Sequence, residues 1–257
     1  MPIFVRYKHG DITNSGILTH IGQQKVVAEI DGSFYETWAT NGKYYPLEEV
    51  ELLSPCTPTK IIGVGINYYS MAKALSVEIP STPLFFLKPA SGVTGPDTNI
   101  IIPSISRQVD YEIELAVVIK KRCQKIASSE AMEYILGYTC SNDVTAVDLL
   151  ESGKPWLLPK GFDTFTPLGP YIVSDINSDR LYMETFLNGK RTQGGSTRDM
   201  IVKIPELIAH VSNIMTLEAG DVLLTGTIPG KGTLYAGDQV VISISDIGSM
   251  KNVVISS

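Results

Sequence analysis

The chain is most informative at Val109-Asp-Tyr-Glu-Ile-Glu-Leu-Ala-Val-Val-Ile119. From Leu115 to the end of this segment every residue is apolar, which predicts a strand buried on both faces. Side chains of a strand point alternately to its two faces, so Glu112 and Glu114 share one face, with Asp110 behind them. We therefore predict one long strand from about residue 109 to residue 119, acidic where it begins and buried beyond.

The two glutamates need compensation, because a carboxylate that enters a buried strand loses its hydration. A hard divalent cation such as Mg²⁺, Mn²⁺ or Ca²⁺ provides it. The competing interpretation is a solvated acidic face, which the Glu-x-Glu pattern alone favours because surface acids far outnumber metal ligands. Asp143 shifts the balance, since it follows the next predicted strand and supplies a third carboxylate. The pattern therefore indicates a candidate metal site.

The sequence before this segment predicts a small β module over residues 1–54. Lys25 to Ile30 and Ser33 to Trp38 are β-rich runs on either side of Asp31-Gly32. An Asp-Gly pair between two such runs is typical of a hairpin with a two-residue turn. Two prolines in residues 54–59 predict a linker.

The sequence after this segment predicts few helices. One is predicted to begin at Ser128 and to stop near Gly137, with a strand from Tyr138 to Asn142. A second is predicted to begin at Pro205. Its buried stripe consists of Leu207, Ile208, Val211, Ile214 and Met215. In what we predict to be the last strand, Val240, Ile242 and Ile244 alternate with Val241, Ser243 and Ser245. A regular βαβ alternation is absent, so we expect neither a Rossmann nor a TIM architecture.

Composition limits the classes of function. The 257 residues can bury a substantial core. A net charge of −6 argues against a broad nucleic-acid-binding surface. Three widely spaced cysteines without a C-x-x-C pair indicate reduced thiols. The sequence contains no apolar run of membrane-spanning length, and charge follows soon after the first residues. We predict a cytoplasmic protein with no nucleic-acid or membrane partner.

Several motifs, in order along residues 60–255, resemble those of the fumarylacetoacetate hydrolase family. They are Val64-Gly-Ile-Asn-Tyr68, Pro83-Leu-Phe-Phe-Leu-Lys-Pro89, the acidic segment 110–119, Gly137-Tyr-Thr-Cys-Ser-Asn-Asp143, Lys160 with Asp163-Thr-Phe-Thr-Pro-Leu-Gly-Pro170, Thr197-Arg-Asp-Met-Ile201 and Gly220-Asp-Val-Leu-Leu-Thr-Gly-Thr227. Each motif is weak alone, but seven matches in the same order are specific.

The resemblance implies a mainly β (α+β) fold, a mixed β-sandwich roll with a catalytic domain at residues 58–257 behind the N-terminal module. It also implies a homodimer with a Mg²⁺ or Mn²⁺ centre, where Ca²⁺ can substitute in crystals. The family's three metal carboxylates fall on Glu112, Glu114 and Asp143.

The resemblance also implies roles for individual residues. The family's active-site lysine falls on Lys160, and a lysine there would stabilise negative charge developing on a 2-oxo acid. Its substrate-contacting threonine falls on Thr227, and we place Gly226 and Lys88 with it as substrate-binding residues. Without the resemblance, Lys160 would be an exposed residue of a Pro-Lys-Gly turn and Thr227 a plain strand end.

The chain departs from the hydrolytic pattern of the family at several positions. Met71 stands where many relatives have the histidine that activates water, and Ala74 where they have its glutamate partner. Neither side chain transfers a proton. Val147, Leu150 and Gly161 replace an arginine, a glutamine and a serine that are often found in relatives. The three histidines, His9, His20 and His210, lie far from these motifs.

These departures favour chemistry that needs an electron sink more than an activated water. We expect an isomerase or decarboxylase of small 2-oxo or 2-hydroxy-enoic dicarboxylates, similar to the enzymes of aromatic catabolism that act on hydroxymuconate-type or heptadiene-dioate acids. A metal-stabilised enolate would carry this chemistry. Two alternatives stay open: a carbon–carbon bond hydrolase of acylpyruvates, and a non-catalytic relative that binds a metal and a carboxylate.

Overall fold

The computed structural model describes residues 2–151 and 153–257 and consists mainly of strands, which confirms the predicted fold class. In chain order the strands are β1 (Ile3–His9), β2 (Ile12–Ile21), β3 (Gln24–Gly32), β4 (Trp38–Pro46), β5 (Glu51–Leu52), β6 (Ile61–Gly65), β7 (Leu84–Lys88), β8 (Val93–Thr94), β9 (Asn99–Ile102), β10 (Val109–Tyr111), β11 (Ile113–Ile119), β12 (Ile135–Asn142), β13 (Thr145–Ala146), β14 (Thr166–Val173), β15 (Tyr182–Leu187), β16 (Lys190–Ser196), β17 (Val222–Thr227), β18 (Gly232–Leu234), β19 (Gln239–Ile244) and β20 (Gly248–Ser256).

Helices are few and short. The α-helices are α1 (Tyr69–Leu75), α2 (Leu157–Lys160) and α3 (Ile204–Ile214), and the 3₁₀ helices are Leu47–Glu49, Ala90–Gly92, Ser128–Tyr134, Val147–Leu149, Ser178–Arg180 and Thr197–Asp199. Within residues 2–151 and 153–257, no helix is long and apolar enough to cross a membrane.

The strands form two large sheets and one small one. The largest sheet has the order β4-β3-β2-β1-β14-β12-β11-β17-β6-β7, with β5 on β1 and β8 on β14. A second sheet, β16-β15-β19-β20-β9, packs against it, and Val117 of β11 shares an apolar core with Ile242 of β19. The third sheet is β13-β10-β18. The result is a mixed β-sandwich.

Strand β11 explains the continuous apolar run. It lies between β12 and β17, and all seven of its residues are buried. Leu115 and Val117 contribute to the core shared with the second sheet, whereas Ala116 and Val118 contribute to a separate core on the opposite face. Because both faces are covered, neither set of side chains needs to be polar, as the sequence predicted.

The predicted strand from residue 109 to residue 119 is nevertheless interrupted. β10 and β11 belong to different sheets, and Glu112 lies between them. The Glu112 N–H donates to the Asn142 side chain at 2.8 Å, and the Ile113 N–H donates to the Gln193 side chain at 3.2 Å. Side chains therefore satisfy the backbone at the point where the ladder would otherwise continue.

Three local predictions need correction. The helix at Ser128–Tyr134 is a 3₁₀ helix, and β12 already begins at Ile135 rather than at Tyr138. In α3 the stripe is buried as predicted up to Val211, but Ile214 is 65% exposed because the helix ends there. The alternation of β19 matches the prediction, yet β20 follows it as the last strand.

The N-terminal strands form a meander that continues the largest sheet, since β1 pairs with β14 through Ile3 and Val173. The predicted two-residue turn at Asp31-Gly32 is wrong, because β3 runs through both residues and β4 begins at Trp38. Residues 33–37 form the connection between the paired strands β3 and β4, and Phe34 within it is buried in a core cluster. The division into residues 1–54 and 58–257 stays a prediction.

Glu29 of β3 ties the N-terminal strands together. Its carboxylate accepts hydrogen bonds from Tyr7, Asn14, Asn41, Lys43 and Tyr45 at 2.7–3.4 Å. The bonds from Lys43 and Asn41 lower the pKa of Glu29 from 4.5 to about 2, against a smaller opposing effect of burial. A carboxylate with a pKa this low stabilises the folded state only while it is ionised.

We expect Glu29→Gln to lower the free energy of unfolding by roughly 1–3 kcal/mol at neutral pH, since a buried charged acceptor is lost. Because the folded pKa lies below the unfolded one, the contribution of Glu29 is complete above pH 4.5 and disappears as the pH falls towards 2. Urea unfolding of both proteins from pH 7 to pH 3 measures this, with the exposed Glu36→Gln as control. Parallel stability curves for the wild type and Glu29→Gln would contradict the assignment.

Candidate metal centre and active site

Three carboxylates meet at the start of β11 and the end of β12. Glu112 occupies the break before β11, Glu114 follows in that strand, and Asp143 comes directly after β12. The antiparallel register pairs Glu114 with Ser141, and the Asp143 N–H donates to the Glu112 carbonyl at 2.8 Å. One carboxylate oxygen from each residue lies within 4.8 Å of the others, and all three residues are buried. The structure thus brings together the residues that the sequence singled out.

The geometry and chemistry of this cluster fit a divalent cation. Oxygen atoms bound to a common Mg²⁺ or Ca²⁺ lie about 2.0–2.6 Å from it and hence within about 5 Å of each other. The observed spacing meets that limit. Carboxylate oxygens are the donors that hard cations prefer. Glu112, Glu114 and Asp143 could therefore hold Mg²⁺ or Mn²⁺ together.

Lys160, the last residue of α2, is buried against this cluster. Its ammonium donates to the Asp143 carboxylate, to Glu112 Oε2 at 3.1 Å and to Thr145 Oγ1 at 2.8 Å. Burial alone would lower the pKa of Lys160, but the charges of Asp143 and Glu112 raise it above its ordinary value. Lys160 therefore holds a positive charge among the carboxylates.

Lys88 approaches Asp143 from β7. Its ammonium donates to Asp143 Oδ1 at 2.5 Å and to the Val144 carbonyl at 3.1 Å, and its side chain is fully buried. Burial lowers the pKa of Lys88, whereas Asp143 raises it. Lys88 does not line the cavity next to the three carboxylates. Its predicted contact with a substrate would need a rearrangement of its side chain.

The carboxylates differ in their surroundings. Burial and the charge of Asp143 raise the pKa of Glu114 well above its ordinary value, and the Gly226 N–H is its backbone donor at 2.7 Å. Burial would also raise the pKa of Asp143, but the ammonium groups of Lys160 and Lys88 lower it. Glu114 is therefore the carboxylate with the greatest need for an additional positive charge. A bound divalent cation would supply that charge.

Gly226 and Thr227 at the end of β17 have different roles in the structure. Gly226 has φ +96°, and a Cβ there would lie 3.0 Å from the Asn67 Cβ, so the position suits glycine. Its N–H is used by Glu114, and it does not line the cavity. The Thr227 hydroxyl lines the cavity and accepts a hydrogen bond from the Gln193 amide at 3.2 Å, which leaves its own hydrogen for a ligand.

A cavity of about 240 Å³ opens above the carboxylates. It is lined by Val64, Gly65, Ile66, Met71, Leu75, Phe86, Glu112, Glu114, Asp143, Thr145, Leu150, Trp156, Lys160, Thr227 and Lys231. Its charged residues are the three acids and two lysines, and its remaining wall is mostly apolar. This volume suits a small carboxylic acid.

Comparison with known proteins assigns the chain to a family. Residues 60–255 match the family described as Fumarylacetoacetate (FAA) hydrolase C-terminal. The chain belongs to the fumarylacetoacetate hydrolase family. Residues 4–55 match a second family, described as Rv2993c-like, N-terminal. The resemblance inferred from the sequence motifs is confirmed.

Members of the fumarylacetoacetate hydrolase family similar to this chain include enzymes of different types. Oxaloacetate tautomerase FAHD2B, mitochondrial, from Bos taurus is 41% identical over 84% of this chain and 73% of that protein. The crystal structure of 5-carboxymethyl-2-hydroxymuconate delta-isomerase from Mycobacterium smegmatis has a TM-score of 0.93 and 35% identity over 100% of both chains. Maleylpyruvate hydrolase from Sphingobium sp. SYK-6, in complex with manganese (II) ion and pyruvate, has a TM-score of 0.79 and 27% identity, again over 100% of both chains.

Several positions at which the motifs depart from the hydrolytic pattern lie at the cavity. Met71 of α1 is buried and lines the cavity, whereas Ala74 is exposed and does not line it. Leu150 also lines the cavity. None of the described lining residues is a histidine. His210 is exposed on α3 and is not among the described residues that line the cavity.

Gln193 of β16 supports the candidate site from the second sheet and was not predicted from the sequence. Its side-chain oxygen accepts hydrogen bonds from the Ile113 N–H and the Thr185 hydroxyl at 3.2 and 2.9 Å. Its amide donates to Thr227 and to the Ile228 carbonyl at 3.2 and 2.7 Å. Gln193 thus fixes both the chain break beside Glu112 and the turn after β17. A glutamine in a polar strand gave no signal of this.

Two further residues were missed. Trp156 covers the cavity, with its ring 5.3 Å from the Phe86 ring and 6.0 Å from the Lys160 ammonium. Lys231 donates to Glu112 Oε1 at 2.7 Å and lines the cavity. A lysine so soon after Thr227 was the available signal in the sequence.

Proposed function

We propose that this protein is a divalent-metal-dependent enzyme that tautomerises, isomerises or decarboxylates a small 2-oxo or 2-hydroxy-enoic dicarboxylate. The observation that carries the proposal is a cavity in which three carboxylates and Lys160 converge while Met71 stands in place of the family's base. The similarity to an oxaloacetate tautomerase and to a muconate-type isomerase supports the same class of substrate.

In the proposed mechanism the chain holds charge and orients the substrate. A bound Mg²⁺ or Mn²⁺ would be held by Glu112, Glu114 and Asp143 and would supply a Lewis acid for a 2-oxo acid. The positive charge of the buried Lys160 stabilises the negative charge that develops on the substrate oxygen, and the proton that leaves or joins C3 is exchanged with solvent water. The Thr227 hydroxyl donates to the substrate carboxylate. The apolar wall at Met71 and Trp156 limits the access of water.

The remaining expectations belong to this proposal. The partner is a small carboxylic acid, and the protein acts as a cytoplasmic homodimer. Lys160 is the catalytic residue, and Thr227 contacts the substrate. Gly226 and Lys88 act indirectly, Gly226 through its bond to Glu114 and Lys88 through its bond to Asp143.

The experiment compares substrates with the chelated and the Mg²⁺-loaded protein. We expect Mg²⁺-dependent interconversion of enol and keto oxaloacetate, followed by ultraviolet absorbance, and we expect little cleavage of an acylpyruvate. Proton exchange at C3, followed by nuclear magnetic resonance, reports the same step independently. If the protein consumes only the acylpyruvate and releases pyruvate, it is a hydrolase and the proposal is wrong.

A carbon–carbon bond hydrolase is the second candidate, favoured by the structural similarity to maleylpyruvate hydrolase. It would need a base that activates water, and none of the cavity-lining residues that the structure describes is a histidine. Restoring the family pair with Met71→His and Ala74→Glu tests this candidate. Hydrolysis gained only by the double variant would show that the wild type lacks a base. Carboxylate binding without turnover of any substrate would instead indicate a non-catalytic relative.

A further inference from the structure

The three lysines near the carboxylate cluster differ in how many of their hydrogen-bond donors are already used. An ammonium has three N–H donors. Lys160 uses all three, on Asp143, Glu112 and Thr145. Lys88 uses two and does not line the cavity. Lys231 lines the cavity and uses one, on Glu112, so two of its donors are available to a ligand.

The backbone that carries Lys231 is fixed. Gly230 has φ +100°, and a Cβ there would lie 2.3 Å from the Thr192 carbonyl oxygen, so the turn packs directly on β16. The Gly230 carbonyl also accepts a hydrogen bond from the Tyr111 hydroxyl at 3.3 Å. The Lys231 side chain is 28% exposed, whereas the Lys160 side chain is 5% exposed. The turn therefore holds the base of a lysine whose ammonium can still adjust its position.

Among the described residues, the rest of the cavity wall offers no further cation for a second anionic group. Met71, Leu75 and Leu150 are apolar, as is most of Trp156. Among the described lining residues the only cations are Lys160 and Lys231. A distal carboxylate that enters this cavity loses hydration, and of the two lining lysines Lys231 is the one with spare donors to replace it.

The formal charges agree with a doubly charged ligand. The formal charges of the three carboxylates and of the three lysines that contact Glu112 or Asp143 sum to zero. A divalent cation held by the carboxylates would leave an excess of two positive charges, which a dianion balances. A monocarboxylate would leave part of that charge uncompensated in a buried site.

We propose that Lys231 is the specificity-determining residue that binds the second carboxylate of the substrate and so selects dicarboxylates. This proposal rests on the proposed function, because it assumes that the first carboxylate and the neighbouring oxygen of the acid bind at the metal centre. In tautomerisation or isomerisation Lys231 contacts a carboxylate that keeps its bonds and its charge. For these reactions its effect is on binding more than on the chemical step.

The test uses a matched pair of stable 2-hydroxy acids. Malate and 2-hydroxybutyrate have four carbons and the same 2-hydroxy acid head, but malate ends in a carboxylate and 2-hydroxybutyrate in a methyl group. Calorimetry on the Mg²⁺-loaded protein measures their dissociation constants without turnover. We expect the wild type to bind malate roughly 10–100-fold more tightly, as a charge-assisted hydrogen bond implies.

Variants of Lys231 identify the residue responsible. Lys231→Met should remove this preference by weakening malate alone, and Lys231→Arg should retain most of it. In kinetics Lys231→Met should raise KM for oxaloacetate while kcat changes little, and thermal melting shows whether the variant is folded. Equal weakening of both ligands, or an unchanged preference, would overturn the assignment to Lys231.

The outcomes also separate this proposal from the one on which it rests. If the wild type binds both acids equally and only with Mg²⁺, the metal-dependent site stands and the role of Lys231 is wrong. If it binds neither acid with Mg²⁺, the proposed function is wrong and the selection by Lys231 is wrong with it.

Discussion

Lys160→Met is expected to lower kcat by roughly 10²–10³-fold, the usual effect of losing a preorganised group that stabilises developing charge. Methionine keeps the length of the apolar stem and removes the ammonium that contacts Asp143 and Glu112. The decrease should appear in kcat more than in KM, because the charge develops only during the reaction. Steady-state kinetics of oxaloacetate tautomerisation with saturating Mg²⁺ measure it.

Two controls make this result specific. Lys154→Met removes an exposed lysine from the same segment, paired only with Glu151 at the surface, and should leave kcat unchanged. Mg²⁺ binding by Lys160→Met should not weaken, since a cation that competes for the same carboxylates has been removed. Unchanged turnover would exclude Lys160 from the mechanism, and lost Mg²⁺ binding would show that its role is to maintain the metal site.

Asp143→Asn is expected to destabilise the metal-free protein by about 3–5 kcal/mol, the usual cost of leaving a buried charge without its partner. Lys88 is fully buried, and Asp143 is the carboxylate with which it pairs. Lys160 loses one of its two carboxylate partners as well. Urea unfolding in the presence of a chelator measures the change without a contribution from metal binding.

A double-mutant cycle tests the physical reason for this instability. If the unpaired Lys88 ammonium causes it, adding Lys88→Met to Asp143→Asn should recover roughly 1–3 kcal/mol, although Lys88→Met alone destabilises the wild type. The cycle therefore predicts a strong coupling between the two residues. Additive effects of the two substitutions would mean that Lys88 and Asp143 contribute independently and that the ion pair is unimportant.

The mixture of acids and lysines gives the site two properties. Without a bound ion the lysines partly compensate Glu112 and Asp143, which lets buried carboxylates exist in the folded chain. Glu114 has no lysine contact within the described residues, and the pKa of its carboxyl is raised by burial. A divalent cation would therefore add most to the environment of Glu114. This explains why a strand buried on both faces can begin with acidic residues.

The sequence by itself determined the features that depend on local pattern. The apolar run of β11 predicts burial on both faces, and the structure confirms it because each face of the strand packs on its own core. The motif order identified the family, and the fixed register of neighbouring strands brought Glu112, Glu114 and Asp143 together as expected. These features follow from the residue pattern of single segments and from the order of the motifs along the chain, both of which can be read in the sequence.

Only the tertiary structure decided the features that depend on distant partners. The break at Glu112 exists because Asn142 and Gln193 accept the backbone N–H groups there, and Gln193 lies about 80 residues away on another sheet. The connection after β3 lies at residues 33–37, where Phe34 packs into a core formed with distant strands. The bonds from Lys231 to Glu112 and from Lys88 to Asp143 likewise join residues that are far apart in the sequence. When a side chain forms a hydrogen bond to another sheet, the periodic pattern of residues around it does not indicate that bond. Such contacts are therefore defined only when the chain is folded.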